Sequence, residues 1–332
     1  MQIDIKTSSV EQLRHTFSHV ARFLGGDKPA SRYQEATIGL QPEVNFHYRP
    51  LWQPEFELYD KRRTGVVMKD WYAFKDPRQY YYGTYTIVRS RQQETMEKQL
   101  EFVEKYGLLT GLPGEVQGAI AFAMVPLRHV EWAANANNCY ITGYGWGTAI
   151  TQATMFHAMD RLGIAQYLSR IGLILDGNQG DSLLRAKETW LTHPAWQGVR
   201  RVTENLMVTE DWFELFIAQN LVFDSLLYPL IYQQFDASIA ERHGSGLAMI
   251  NEFMKTWYDE TGRWVDATLK TAAAESPANA ALLSEWAKSW RDTITEGLQP
   301  LAREIFGADA QRISAEVTTA LTLRAAKLGV LV

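Results

Sequence analysis

The sequence predicts an all-α protein, and three observations carry that prediction. From about residue 86 to the C-terminus, apolar residues recur at helical spacing between Gly and Pro punctuation. Strong helix formers (Ala, Leu, Glu, Gln, Lys, Arg) fill the stretches between those breaks. No run alternates apolar and polar residues as a half-buried strand would, and nothing repeats at a solenoid period.

Taken in order, Val10–Leu24 places Leu13, Phe17, Val20 and Leu24 at helical spacing, and Gly25-Gly26 stops that helix. The next stretch, to Tyr85, resists both periodic templates. Pro29, Pro42, Pro50, Pro54 and Pro77 each remove a backbone donor and forbid a long helix there, leaving room for a turn or two. Helices follow at Thr86–Tyr106, through an alanine-rich region to about Leu175 with breaks at Pro126 and Gly143–Gly147, and at Asp181–Leu191 and Ala195–Met207. The very apolar Asp211–Ala240 comes next, then Gly246–Ala274, Asn279–Glu296 and Ala308–Lys327. Residues 1–85 therefore read as a helix plus an extended, aromatic-rich arm, and 86–332 as a helical domain forming one unit with it.

Composition excludes several functions. The 332 residues hold 33 Lys and Arg against 38 Asp and Glu, a formal charge of −5, so nothing electrostatic favours nucleic acid or an anionic membrane. The single cysteine, Cys139, forbids an intrachain disulfide and any multi-cysteine metal site; it reads as a small buried apolar residue. The start, MQIDIKTSS, has no apolar run behind a basic head, and no apolar stretch spans a bilayer, so the expected location is the cytoplasm.

Chemistry-bearing motifs are scarce. No nucleotide P-loop and no nucleophile elbow occur, and Gly143-Tyr144-Gly145-Trp146-Gly147 has the wrong spacing for a dinucleotide fingerprint, so it reads as a kink or a close helix approach. A carboxylate-bridged di-iron site needs a Glu-x-x-His step on two helices. None of the seven histidines (15, 19, 47, 129, 157, 193, 243) has an acid three residues before it. Glu11, His15 and His19 share a face of the first helix, but a solvated face explains them without a metal. On the helix after Pro126, Glu131, Asn135, Asn138 and Thr142 make one polar stripe, which either needs buried partners or faces water or another subunit.

The arm is the strongest anomaly. Residues 46–85 hold twelve Phe, Trp or Tyr in forty positions, too many for a segment with so little regular structure to bury by itself. Lys61-Arg62-Arg63 among aromatics suggests single-stranded nucleic acid, but Glu55, Glu57, Asp60, Asp70 and Asp76 surround it and would repel phosphate. Tyr, Trp and Arg also anchor protein interfaces, which makes Tyr48, Trp52, Phe56, Tyr59, Arg62, Trp71, Tyr72, Tyr80, Tyr81 and Tyr82 candidate subunit contacts.

The run YRPLWQPEFELYDKRR…DWYAFKDPRQYYYGTY resembles the front of the hydroxylase β subunit in bacterial multicomponent monooxygenases, the family of phenol, toluene and methane hydroxylases. The resemblance extends along essentially the whole chain and lies nearest phenol hydroxylase. It implies a ferritin-like helical bundle with extra helices, inside a hydroxylase of paired α, β and γ chains (α2β2γ2). By that resemblance the α chain holds the di-iron centre, a reductase with FAD and an iron–sulfur cluster brings electrons from NADH, and a small regulatory protein docks. The β chain carries no cofactor and no active site.

Laid on this sequence, the family's ligand pattern keeps Glu131 and turns the first Asp-Glu-x-x-His step into Asp160-Arg161 and Ile164. The third glutamate falls near Asp224, and the second Glu-x-x-His step near Glu260 and Arg263. The expectation is a degenerate site in which Arg161 and Arg263 pair with Glu131 and either Asp224 or Glu260 in place of a metal. Two other readings remain open: a free-standing metalloenzyme using Glu131, Asp160, Asp224 and Glu260, and a helical scaffold unrelated to oxygenases.

Overall fold

The computed structural model describes residues 16–26, 29–44 and 49–332. Among the described residues there are helices and turns and no strand. Two short helices, α1 (Ser18–Leu24) and α2 (Arg32–Glu35), precede the arm. The body is built from α3 (Tyr82–Lys105), α4 (Gly114–Met124), α5 (Leu127–Tyr144), α6 (Thr148–Leu175), α7 (Asp181–Thr192) and α8 (Pro194–Met207). After them come α9 (Trp212–Phe216), α10 (Asp224–Tyr228), α11 (Asp236–His243), α12 (Gly246–Glu275), α13 (Pro277–Phe306) and α14 (Ala310–Ala326).

The Gly143–Gly147 cluster is where α5 turns into α6. Gly147 adopts φ 92°, a backbone state that Gly supplies at no steric cost. Bonded pairs then run in opposite directions: Asn135 Nδ2 donates to the Ala158 carbonyl at 2.7 Å, and Thr142 Oγ1 lies 2.8 Å from Thr154 Oγ1. The polar stripe of α5 is therefore turned inward along an antiparallel partner, and water is not its destination.

The apolar rod Trp212–His243 is one continuous helical run, widened by π-helical segments at Ile217–Phe223 and Pro229–Phe235. It is the one helix among the described residues long and apolar enough to cross a membrane, yet 94% of its most apolar window is buried by the other helices. The extra residue per π turn lets neighbours such as Gln219 and Asn220 both face α5, where they bond Asn137 at 2.9 Å and Asn138 at 3.2 and 3.0 Å. The helix Pro277–Phe306 outruns its expected end and carries Pro300 within it.

The arm lies on its own chain's helices. Asp60 and Asp70 cap the two short 3-10 turns Lys61–Arg63 and Trp71–Ala73. Asn279, where α13 begins, accepts from the Val67 amide at 3.1 Å and donates to its carbonyl at 2.9 Å. Asp211 accepts from the Gly65 amide at 2.7 Å, and the Trp71 ring sits 5.8 Å from Trp212. Two of the expected subunit contacts are corrected by this packing: Trp71 and Tyr80 are buried within this chain, because the arm's need for apolar cover is met by α9, α12 and α6. Cys139 is likewise exposed and not buried, since it falls on the outward face of α5.

Candidate functional site

A surface groove of about 870 Å³ runs between α13 and α14, and its lining holds no acid and no histidine. The titratable chemistry is elsewhere, in the core, in two ion clusters that meet on α6.

The first is centred on Arg161, which has no solvent exposure. Its Nη1 donates to Glu131 Oε2 at 3.0 Å, Glu131 Oε1 at 3.3 Å and Tyr228 Oη at 3.1 Å. Its Nη2 donates to Asp224 Oδ2, and its Nε to His157 Nε2 at 3.2 Å. Tyr228 Oη donates to Glu131 Oε1 at 2.8 Å, and Gln219 Nε2 to Asp224 Oδ1 at 3.3 Å. Helical spacing explains the convergence: His157 and Arg161 are four residues apart on α6, as are Asp224 and Tyr228 on α10, so each pair shares a face. The guanidinium carbon lies 4.7 Å from the Trp257 ring centre and 5.3 Å from that of Tyr228.

Two carboxylates here share one guanidinium. Burial lifts the Glu131 and Asp224 carboxyls above their ordinary range, and the Arg161 charge only partly offsets it. Burial, and then the Arg161 charge, hold His157 well below the usual histidine range, so the imidazole is neutral. It is wedged between Trp257 and Trp264, with ring centres 4.9 and 5.5 Å away.

The second cluster begins one residue earlier. Asp160 accepts from Tyr85 Oη at 2.9 Å, Trp257 Nε1 at 2.9 Å and Arg89 Nη2 at 2.7 Å. Arg89 also reaches both oxygens of Glu260 at 3.0 Å, and Tyr80 Oη donates to Glu260 Oε1 at 2.9 Å. Burial pushes the Glu260 carboxyl up, but the Arg89 bonds and charge outweigh it and hold the carboxyl below its ordinary range. From the arm, Arg78 forms a two-pronged pair with Asp76 and comes within 3.8 Å of Glu260.

Of the seven positions expected at a degenerate site, Glu131, Arg161 and Asp224 come together, and Asp160 and Glu260 come together through Arg89. Ile164 is fully buried on the Arg161 face of α6. Arg263 is corrected: it is exposed on α12, because Trp257, Thr261 and Trp264 take the inward positions of that face. Arg89 and Arg78, absent from the sequence reading, do the work assigned to it. Of the Glu11, His15 and His19 group, only His19 lies within the described residues, and its Nε2 sits 3.2 Å from the Ile38 carbonyl oxygen.

Among the remaining arm candidates, Trp52 and Tyr82 are exposed by 72% and 71%. Arg62 is exposed and pairs with Asp60. Phe56, Tyr59, Tyr72 and Tyr81 are half-buried; Phe56 lies under Arg62 and Arg63, and Tyr72 Oη accepts from the Gln41 amide. Tyr48 lies outside the described residues. A second surface went unseen in the sequence: Met155, Met159 and Leu162 of α6 and Trp132 of α5 are all exposed apolar side chains on the α5–α6 hairpin, with Arg128 and Arg170 beside Trp132 and Leu162.

A di-iron centre is what the resemblance brings to the space between Glu131 and Asp224, and the residues present do not fit it. A guanidinium fills the position between the carboxylates, and the two Glu-x-x-His histidines are Ile164 and an outward-facing Arg263. Among the described residues, no three of His, Cys, Asp and Glu are placed to hold a metal ion together.

Comparison with known proteins agrees with this architecture. Residues 52–276 match the family model described as methane/phenol/alkene hydroxylase. The chain is 49% identical over 329 residues to the phenol 2-monooxygenase oxygenase component DmpL of Pseudomonas sp. (strain CF600), covering 99% of this chain and 98% of that one. It is 23% identical to the β subunit of the toluene-4-monooxygenase hydroxylase component of Ectopseudomonas mendocina, over 83% of this chain and 86% of that one. A chain in the crystal structure of xenon-pressurized phenol hydroxylase from Pseudomonas sp. OX1 superposes with a TM-score of 0.92 at 43% identity, covering 99% of both. The chain belongs to the methane/phenol/alkene hydroxylase family, beside the oxygenase components of phenol monooxygenases.

Proposed function

We propose that this chain is the metal-free, non-catalytic β subunit of a di-iron phenol hydroxylase. The observation that carries the reading is Arg161, a fully buried guanidinium bonded to both carboxylates that a metal would need. The relatives' names support it: one is an oxygenase component of a phenol 2-monooxygenase, another a hydroxylase subunit β.

In this reading the chain pairs with a catalytic α subunit and a small γ subunit in an α2β2γ2 hydroxylase in the cytoplasm. The α subunit holds the di-iron centre, where oxygen and NADH-derived electrons hydroxylate phenol or a related aromatic. A reductase with FAD and an iron–sulfur cluster delivers the electrons, and a regulatory protein docks on the assembly. This chain's own residues supply frame and contact. The two ion clusters lock α3, α5, α6, α10 and α12 together, while Leu51, Trp52 and Tyr82 on the arm and the apolar face of α5–α6 are left for partner chains.

A native mass spectrum of the tagged chain, purified from its own cells, tests the reading. Co-migration with a larger and a smaller chain, with all iron following the larger one, is the expected result. A lone chain carrying iron would refute it.

A further inference from the structure

We propose that the cleft between α1, α2 and the arm is a binding site for one small aromatic carboxylate. Its volume is about 430 Å³, within the range of small-molecule sites.

The walls are aromatic and held in place. Phe74 is 3% exposed and lies against Trp71 and Phe213, with ring centres 5.8 and 6.3 Å away, so the core supports it from behind. Tyr72 meets Phe23 edge-on with ring centres 5.9 Å apart, and Leu24 and Ile38 extend the apolar lining. A ring entering the cleft finds other rings to pack against. Tyr33 ties the two sides together, its Oη accepting from the Asp76 amide of the arm at 2.9 Å. Gln79, also on the lining, holds φ 52°, a left-handed conformation that residues with a β-carbon rarely adopt. Its amide donates to the Asp76 carbonyl at 2.9 Å, which fixes the turn, and backbone held in this way gathers at ligand sites.

The uncommitted charge on the lining is positive. Asp76 is the only acid on the described lining, and Arg78 occupies its two oxygens at 2.9 and 3.0 Å. Lys75 is exposed and makes no ion pair among the described residues. Ser31 Oγ accepts from the Gln34 amide at 3.2 Å and Tyr72 Oη from the Gln41 amide at 3.3 Å, which leaves each hydroxyl a proton to donate. Rings, hydroxyl donors and one unneutralised ammonium suit an aromatic ring that carries an anionic oxygen. A carboxylate answers such donors more strongly than a neutral phenol does.

The probe is 4-iodobenzoate, soaked into crystals of the purified hydroxylase and located by iodine anomalous scattering. Equilibrium dialysis of the same complex measures binding in solution. An iodine peak against Phe74 and Tyr72 is expected, with one more equivalent bound per native chain than per Lys75→Glu chain. Because Lys75 is exposed, Lys75→Glu changes the charge without disturbing the fold. Uncharged 4-iodotoluene is expected to bind about tenfold more weakly or less, having lost a charge-assisted contact.

Four results overturn the proposal. One is the absence of iodine from the cleft, and another is a side chain of a partner already filling it. The third is equal binding by the native and Lys75→Glu chains in dialysis, which makes a crystal peak binding at crystal concentration only. The fourth is 4-iodotoluene binding as tightly as the acid. In each case the subunit reading stands, because no residue of the cleft belongs to the buried ion clusters around Arg161.

Discussion

Asp160 and Arg161 are adjacent, buried and oppositely charged, yet each pairs with other partners: Asp160 with Arg89, Arg161 with Glu131 and Asp224. Successive helical residues point about 100° apart, so the two side chains leave α6 on different faces. One face reaches α5 and α10, the other α3 and α12. The dipeptide thus makes α6 the strut between two halves of the body.

Removing the Arg161 guanidinium leaves two buried carboxylates without their cation. Arg161→Met is expected to lose about 3–5 kcal/mol of stability, the usual cost of breaking a buried ion pair from one side. Adding Glu131→Gln and Asp224→Asn to that variant should restore most of the loss, because no unpaired charge then remains. Urea unfolding of the three proteins checks both steps.

His129 gives the fold a pH dependence. Burial first, then the charges of Arg128 and Lys187, lower its pKa from 6.5 to about 4. A base with a depressed folded pKa contributes stability that is present above its unfolded pKa and lost as pH falls toward the folded one. The native chain should therefore weaken between pH 6.5 and about 4 in excess of a His129→Phe variant, which keeps the stacking on Trp190. Equal slopes in urea midpoints across that window would remove His129 as the cause.

Gly198 and Gly297 bring α8 and α13 into backbone contact. A Cβ on Gly198 would overlap the Gly297 carbonyl oxygen, whereas a Cβ on Gly163 of α6 would meet nothing within 4 Å. Gly198→Ala is expected to cost about 3 kcal/mol, the upper end for overpacking, since backbone cannot move aside as a side chain can. Gly163→Ala should instead gain up to about 1 kcal/mol from helix propensity. Thermal unfolding of the two variants should shift in opposite directions.

The arm's two tryptophans separate folding from assembly. Trp71 is 6% exposed and stacks near Trp212, so Trp71→Ala is expected to cost about 3–5 kcal/mol of fold stability. Trp52 is exposed, and Trp52→Ala should change stability by no more than about 0.5 kcal/mol while weakening recovery of partner chains in a pull-down. Met159→Lys on the α5–α6 face should behave like Trp52→Ala.

Much of this was legible in the sequence. The helices followed from spacing and punctuation, and Arg161 stood out because the family's ligand pattern, laid on the sequence, put an arginine where a metal-binding glutamate would stand. Arg89 and Arg78 were not legible: α3 is rich in charged residues, and Arg89 meets its partners 71 and 171 positions away. Arg263 misled because the family's ligand pattern was laid on α12 by spacing alone, and side chains one residue apart on a helix point about 100° apart, so Trp264 is buried while Arg263 is exposed. The outer face of α6 was hidden because that helix is apolar nearly all round, so periodicity could not tell Met159 from Ile164. The aromatic arm signalled a demand for cover, but sequence alone could not say that its own helices meet most of it.

Whether this chain is metal-free is tested by anomalous diffraction at the iron edge from crystals of the purified hydroxylase. Strong peaks are expected in the partner chain alone, with Arg161 density continuous between Glu131 and Asp224 in this one. An iron peak between those two carboxylates, with Arg161 turned away, would contradict it.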